Sequence, residues 1–245
     1  MNTPLGNVSA HSSVENQEHH FSPRLPPIMR VIRHLLRFLI LGLFRVQVIG
    51  MENLPIGNYI ALANHLRWID PFLLLAILPP EPRVYFIGAR QAFTTRWKIW
   101  LMKVYDAWIP AERGARWVGK DVFEKPLAVL ESGAVLAFFP EGDSGSCEGQ
   151  LMPLKRGIGH FVLQADCAIL PVALSGTLEL YWHKPITVIL GKPFRVQVGD
   201  LPHHAAIDAA VEQVTQKLQE NLPAYEEPVI GKRRMLFLTT ILDRV

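Results

Sequence analysis

The sequence predicts an α/β domain: a mainly parallel central sheet with helices on both faces, plus an N-terminal amphipathic helical segment. Short β-branched or apolar runs at 59–63 (YIALA), 84–88 (VYFIG), 134–139 (AVLAFF), 168–174 (AILPVAL) and 186–190 (ITVIL) alternate with helical patterns at about 71–78, 92–104, 115–131, 157–165 and 204–221. The runs are almost continuously apolar, as strands covered on both faces are. At 245 residues the chain can bury one large core but not a second full one.

Residues 1–27 are polar and rich in His and Pro, with no apolar periodicity, and read as a disordered leader. No apolar stretch follows Met1, so they are not a signal peptide. Residues 28–45 read as a basic amphipathic helix. Arg30, Arg33 and Arg37 recur at helical spacing, Arg45 closes the segment, and Leu36, Leu39, Ile40 and Leu43 fill another face. The charge-free run Phe38 to Phe44 is far shorter than the roughly 20 residues that span a bilayer. The segment is therefore expected to lie on a membrane surface, with packing on its own domain as the alternative. Trp97, Trp100, Arg96, Lys98 and Lys103 add residue types that settle at headgroup level. The main domain runs over 46–228. Residues 229–245, a basic cluster followed by an apolar run, are expected to form a helix that docks on the domain or touches lipid.

Apolar residues are 49% of the chain, charged residues 19%, and the net charge is +3, which favours an anionic surface or substrate. The basic clusters form no stripe and come with no base-stacking motif, which argues against nucleic acid. No metal is expected: His19 and His20 lie in the leader and His203 and His204 at a loop–helix junction, none at ligand spacing from His65 and Asp70. Cys147 and Cys167 sit in segments of opposite character, so a disulfide is not expected and a reducing, cytoplasmic setting is.

The strand YIALA runs straight into NHLRWIDP, which puts an imidazole, His65, on a strand-end loop and a carboxylate, Asp70, at the start of the next helix. Asp70 reads as the helix cap with Pro71 inside the first turn. It can take one ring nitrogen of His65, fix the tautomer and leave the other nitrogen as a general base. With no nucleophilic side chain in the motif, the attacking group is the acceptor's own hydroxyl. Further on, AVLAFFPEGDSGSCEGQLMPLKRG gives a buried strand, a Gly- and Ser-rich loop at Glu141 and Gly142, and Lys155 and Arg156 before a helix, a composition that can cradle an anion. Between the blocks, Arg113 follows a strand-like segment ending near Pro110.

Taken in order over about residues 46–195, these blocks resemble the glycerolipid acyltransferase family of lysophosphatidate and glycerol-3-phosphate acyltransferases. NHLRWID resembles its His-four-residues-Asp motif, IPAER its arginine motif, FFPEG with LKRG its third and ILPVAL its fourth, and VQVIGMENLP looks like the usual lead-in. The resemblance implies catalytic roles for His65 and Asp70. It also implies that Arg113, Glu141 and Gly142 hold a phosphorylated acceptor and that Pro171 helps shape the cleft. An acyl-CoA or acyl-carrier-protein donor, a lysolipid acceptor, a membrane surface and no cofactor follow. Two departures stand out. Asp143-Ser144 replace the Thr-Arg found in many members, and Asp106 stands where a small residue is common. They leave the acceptor open: 1-acyl-glycerol-3-phosphate, a glycolipid, an amino-acyl lipid or another lysophospholipid. Readings from other classes are a cysteine hydrolase using Cys147 or Cys167, which lack the electropositive setting a thiolate needs, and a non-catalytic membrane-binding module.

Overall fold

The computed structural model describes residues 21–89, 105–111, 120–227 and 233–240. The expected helix at 92–104 and Arg113 lie outside the described residues. In chain order the elements are α1 (Pro27–Leu43), β1 (Arg45–Ile49), β2 (Ile60–Ala63), α2 (Asp70–Ile77), β3 (Val84–Ala89), β4 (Trp108–Ala111), α3 (Lys120–Glu131), β5 (Val135–Phe138), α4 (Gly157–Ala165), β6 (Ile169–Ser175), β7 (Pro185–Leu190) and α5 (His203–Gln219).

The strands form one seven-stranded sheet in the order β1-β7-β6-β2-β5-β3-β4. Every neighbouring pair is parallel except β6 with β7. Successive residues of a strand point to opposite faces, so each strand feeds two cores. Ala61, Ala63, Phe86 and Leu170 meet Ile40 of α1 and Leu73 and Leu74 of α2. Ile60, Leu62, Leu136 and Phe138 meet Phe123 of α3, Phe161 of α4 and Val214 of α5. The expected two-sided cover is therefore what forms.

Three local expectations are corrected. Residues 21–26 do not belong to a disordered leader: Pro23 accepts the Arg83 amide at 2.7 Å, and Leu25 is buried. Arg45 opens strand β1 rather than closing the helix. RVQVI alternates polar and apolar, and Val46 and Val48 pack on the core while β1 pairs with β7 along its length. Within 229–245 the described part is a short 3-10 turn, Leu236–Thr239, not an α-helix.

Helix α1 packs on its own domain through Leu36, Ile40 and Leu43, and its arginines bind that domain as well. Arg33 is buried and donates to Pro79 O at 2.9 Å, and Arg37 donates to Ala76 O at 2.6 Å. These carbonyls lie at and just beyond the C-terminal end of α2, where backbone acceptors are left over and the helix dipole favours a cation. Arg30 is bonded to Leu25 O and Glu81. The surface of α1 that faces away carries Ile28, Val31, Leu35, Phe38 and Leu39, all exposed. Among the described residues no helix is long and apolar enough to cross a membrane.

Candidate active site

The site lies beyond the C-terminal ends of β2 and β5, adjacent parallel strands that stop at Ala63 and Phe138. Asn64 continues the work of β2 with its side chain: it donates to Leu174 O at 2.9 Å and accepts the Leu174 amide at 2.7 Å, fully inside the protein. That bidentate bond to β6 fixes where the chain leaves the sheet, and His65 follows at once. Its ring stacks on Phe139, centroids 4.3 Å apart, and its Nδ1 lies 2.8 Å from Asp70 Oδ2.

Asp70 is completely buried, while the His65 side chain keeps 22% of its surface exposed. Asp70 does not cap its own helix. It occupies the first helical position after Ile69, and its Oδ2 accepts the amides of Leu66 at 2.6 Å and Arg67 at 2.8 Å as well as the His65 ring. One oxygen thus ties both ends of the six-residue motif, His65 to Asp70. Arg67 reaches the other way, with Nε on Leu178 O at 2.9 Å.

The second loop is bound to the first from below. Glu141, 1% exposed, accepts the His65 amide on Oε1 at 2.7 Å and the Met152 amide on Oε2 at 2.8 Å. Burial raises its pKa above the ordinary value, against the lowering effect of those two amides. Gly142 makes the turn at φ +77, a conformation that favours glycine, with the Lys155 stem lying where a Cβ would go. Gly145 donates its amide to His65 O at 2.6 Å. Glu148, which the sequence reading passed over, closes the far side of the loop by accepting the amides of Gly176 at 2.9 Å and Leu178 at 2.8 Å. Only its place in an otherwise small-residue loop could have drawn attention to it.

The structure therefore brings His65, Asp70, Glu141 and Gly142 together but places them differently. Glu141 supports the His65 loop through main-chain bonds and shows almost no surface to a ligand. Lys155 lies 3.7 Å from Asp143, both exposed, and Arg156 makes a two-point contact with Asp208 of α5 at 2.8 and 3.2 Å. Pro171 is buried in the body of β6, opposite Leu62. The amides of His65, Leu66 and Arg67 are all committed to carboxylates, so none of them is left to stabilise an oxyanion. Asp106 has a local reason of its own. It sits at φ 44, which Asp tolerates better than most residues, and Arg83 holds its carbonyl and that of Tyr105. Cys167 precedes β6 at the N-terminal ends of the parallel strands, whereas His65 follows the C-terminal end of neighbouring β2, and burial pushes the thiol up to about 11. Cys147 is exposed and unpaired by any disulfide. Among the described residues no cluster fit for a metal ion is present.

An imidazole held by a buried carboxylate, with Nε2 left over at a partly open surface, has the arrangement a general base needs. The sequence profile of the family described as Acyltransferase matches residues 45–175, which contain this whole arrangement. Similar relatives include the 1-acyl-sn-glycerol-3-phosphate acyltransferase of Limnanthes douglasii, 33% identical over 218 residues, 82% of this chain and 72% of that one. The yeast protein of the same name is 33% identical over 153 residues, 62% of this chain and 49% of its own. The chain spans about half the length of several of the curated relatives it matches. The crystal structure of the 1-acyl-sn-glycerophosphate acyltransferase PlsC from Thermotoga maritima shares the fold, with a TM-score of 0.61 at 19% identity over 82% of each chain.

Proposed function

The chain belongs to the acyltransferase family, and we propose that it transfers a fatty acyl group from acyl-CoA or acyl-carrier protein to the hydroxyl of a lysolipid, with 1-acyl-glycerol-3-phosphate as the first acceptor to test. The observation that carries this reading is the 2.8 Å contact of His65 Nδ1 with the buried Asp70 carboxylate, which leaves Nε2 to take a proton. The acceptor hydroxyl gives its proton to Nε2 as its oxygen attacks the thioester carbonyl. The tetrahedral oxyanion then collapses, the carbon–sulfur bond breaks, and the departing thiolate recovers the proton from His65. No acyl-enzyme forms. Relatives named as 1-acyl-sn-glycerol-3-phosphate acyltransferases support the acceptor. The exposed apolar stripe of α1 supports a peripheral position on the cytoplasmic face of a membrane, where such an acceptor resides.

A second acceptor class is favoured by one observation: the cations that would grip a phosphate face carboxylates, Lys155 near Asp143 and Arg156 on Asp208. Both pairs are exposed, and exposed ion pairs are worth only about 0–1 kcal/mol, so a phosphate can displace either carboxylate. The phosphorylated acceptor therefore stays first. The test gives purified protein labelled acyl-CoA or labelled acyl-carrier protein and a panel of lysophosphatidate, other lysophospholipids, a lysoglycolipid and an amino-acyl lysolipid. Acylation of lysophosphatidate, abolished by His65→Ala, is the expected result. Product from an unphosphorylated acceptor alone would move the assignment to the second class, and no product from any acceptor with either donor would overturn the reading.

A further inference from the structure

Exposed apolar surface gathers where α1, the loop after β6 and the C-terminal segment meet. His183 donates its amide to Leu43 O at the end of α1 at 2.7 Å, and Trp182 donates its amide to Arg234 O at 2.9 Å. Residues 182 and 183 thus bridge the helix and the segment 233–240. On that segment Leu236 and Phe237 are 46% and 57% exposed, with Met235 and Trp182 beside them at 37% and 40%. Phe38 and Leu39, in the last two turns of α1, are exposed as well.

The segment does not need these side chains to hold itself in place. Leu238 alone enters the core, packed in the cluster that holds α2. The Thr239 hydroxyl donates to Leu180 O at 3.0 Å and accepts the Leu180 amide at 2.9 Å. The Trp68 indole donates to Leu238 O at 3.2 Å, and Trp68 belongs to the loop between His65 and Asp70. Met235 starts the turn at φ 61, a conformation L side chains rarely adopt. The chain thus keeps an uncommon backbone turn, an inward anchor and an outward Leu-Phe pair, one hydrogen bond from the catalytic loop.

We propose that Met235, Leu236, Phe237 and Trp182 form a lipid-contacting rim that seats the His65–Asp70 loop against an anionic bilayer. The occupant follows from the composition. Apolar and aromatic side chains stand beside the exposed Arg234, in a basic run that begins at Lys232 in the sequence, the mixture that settles at the headgroup boundary of anionic membranes. The rim is tied to the end of α1 through the Trp182–His183 pair, since His183 binds Leu43 O and Trp182 binds Arg234 O. Seating there brings the loop that carries His65 to the layer in which a lysolipid acceptor sits. The inference rests on the lysolipid reading only for that last consequence, since lipid binding can be read without acyl transfer.

The test uses the full chain and sedimentation with vesicles of phosphatidylcholine, with and without phosphatidylglycerol. The protein is expected to bind the phosphatidylglycerol vesicles preferentially. Replacing Leu236→Ser and Phe237→Ser together is expected to cut binding by about tenfold or more. Arg234→Glu, an exposed change that spares the fold, is expected to remove the preference for the anionic lipid. Phe237→Trp is expected to retain binding, and matching circular dichroism separates lost binding from lost folding. The ratio of turnover on vesicle-borne to monomeric lysolipid should fall about tenfold in the serine variant. The proposal is overturned if the native chain ignores both vesicles, or if the serine variant binds as the native chain does. It is equally overturned if the serine variant only dissociates a dimer, which would make the rim a contact between copies. Vesicle binding without acyl transfer to any acceptor would instead sink the enzymatic reading and leave the rim standing.

Discussion

The C-terminal edge of the sheet at β2 and β5 and helix α1 both bury charge, and they differ in what they leave outside. At the edge, Asp70 and Glu141 lie within the protein on the amides of Leu66, Arg67, His65 and Met152, and the imidazole of His65 remains partly open. In α1, Arg33 lies inside on a carbonyl just beyond α2, and Leu35 and Phe38 remain open. In each region the buried charge binds main-chain groups that no regular ladder satisfies. What each region leaves at the surface then differs: an imidazole in one, an apolar stripe in the other.

Asp70→Asn strikes the first region hardest. Oδ2 takes three donors, one of them His65 Nδ1. An amide in its place can present N–H to that nitrogen, which favours the wrong tautomer. A fall in kcat on the order of 10³–10⁴-fold is expected, with KM little changed. Single-turnover transfer of a labelled acyl group measures it. A loss smaller than about tenfold would mean that the buried carboxylate only holds the loop, and the contrast between the regions would collapse.

Glu141→Gln tests the support beneath the base. Glutamine keeps one acceptor oxygen and turns an amide toward the other backbone N–H, so a loss of about 1–3 kcal/mol is expected by denaturant unfolding. The pH dependence has a definite sign. Burial raises the Glu141 pKa in the fold, so the native state holds its proton above the ordinary value of 4.5. In that window the native state binds more protons than the unfolded chain, and stability conferred by Glu141 falls as pH rises. The stability difference between the native chain and the glutamine variant should therefore narrow from pH about 4.5 upward. A widening difference would show that the two amides outweigh desolvation.

Much of this could be read in advance, and the remainder has a physical explanation. The central strands were legible because they are buried on both faces, and the His65–Asp70 pair because its spacing closes a loop. What Asp70 does within that loop was not legible: a carboxylate before proline looks the same whether it caps forward or, as here, binds backward to residues 65–67. Glu148 and Asn64 act through main-chain groups far off in sequence, which leave no local pattern. Edge strand β1 was hidden because its alternating RVQVI abuts the helix at Phe44. The arginines' part in holding α1 was not legible either, because periodicity shows that Leu36, Ile40 and Leu43 share a face but not that Arg33 and Arg37 reach the carbonyls at the end of α2.

Arg33→Met probes that part with the smallest expected effect. Losing the guanidinium leaves Pro79 O, 2.9 Å away, without its donor, a cost of about 1–3 kcal/mol. Burial opposes the charge, lowering the Arg33 pKa, so removing it recovers part of that cost, and methionine fills much of the space. The two changes nearly offset, and a net loss of about 1 kcal/mol is expected, read as a modest fall in thermal midpoint with kcat within about twofold of the native value. If instead Arg33→Met left stability untouched and weakened binding to anionic vesicles, the arginine would be serving lipid rather than α2. The basic face of the helix would then have to turn outward, and the two regions would no longer share the use of buried charge as a backbone clamp.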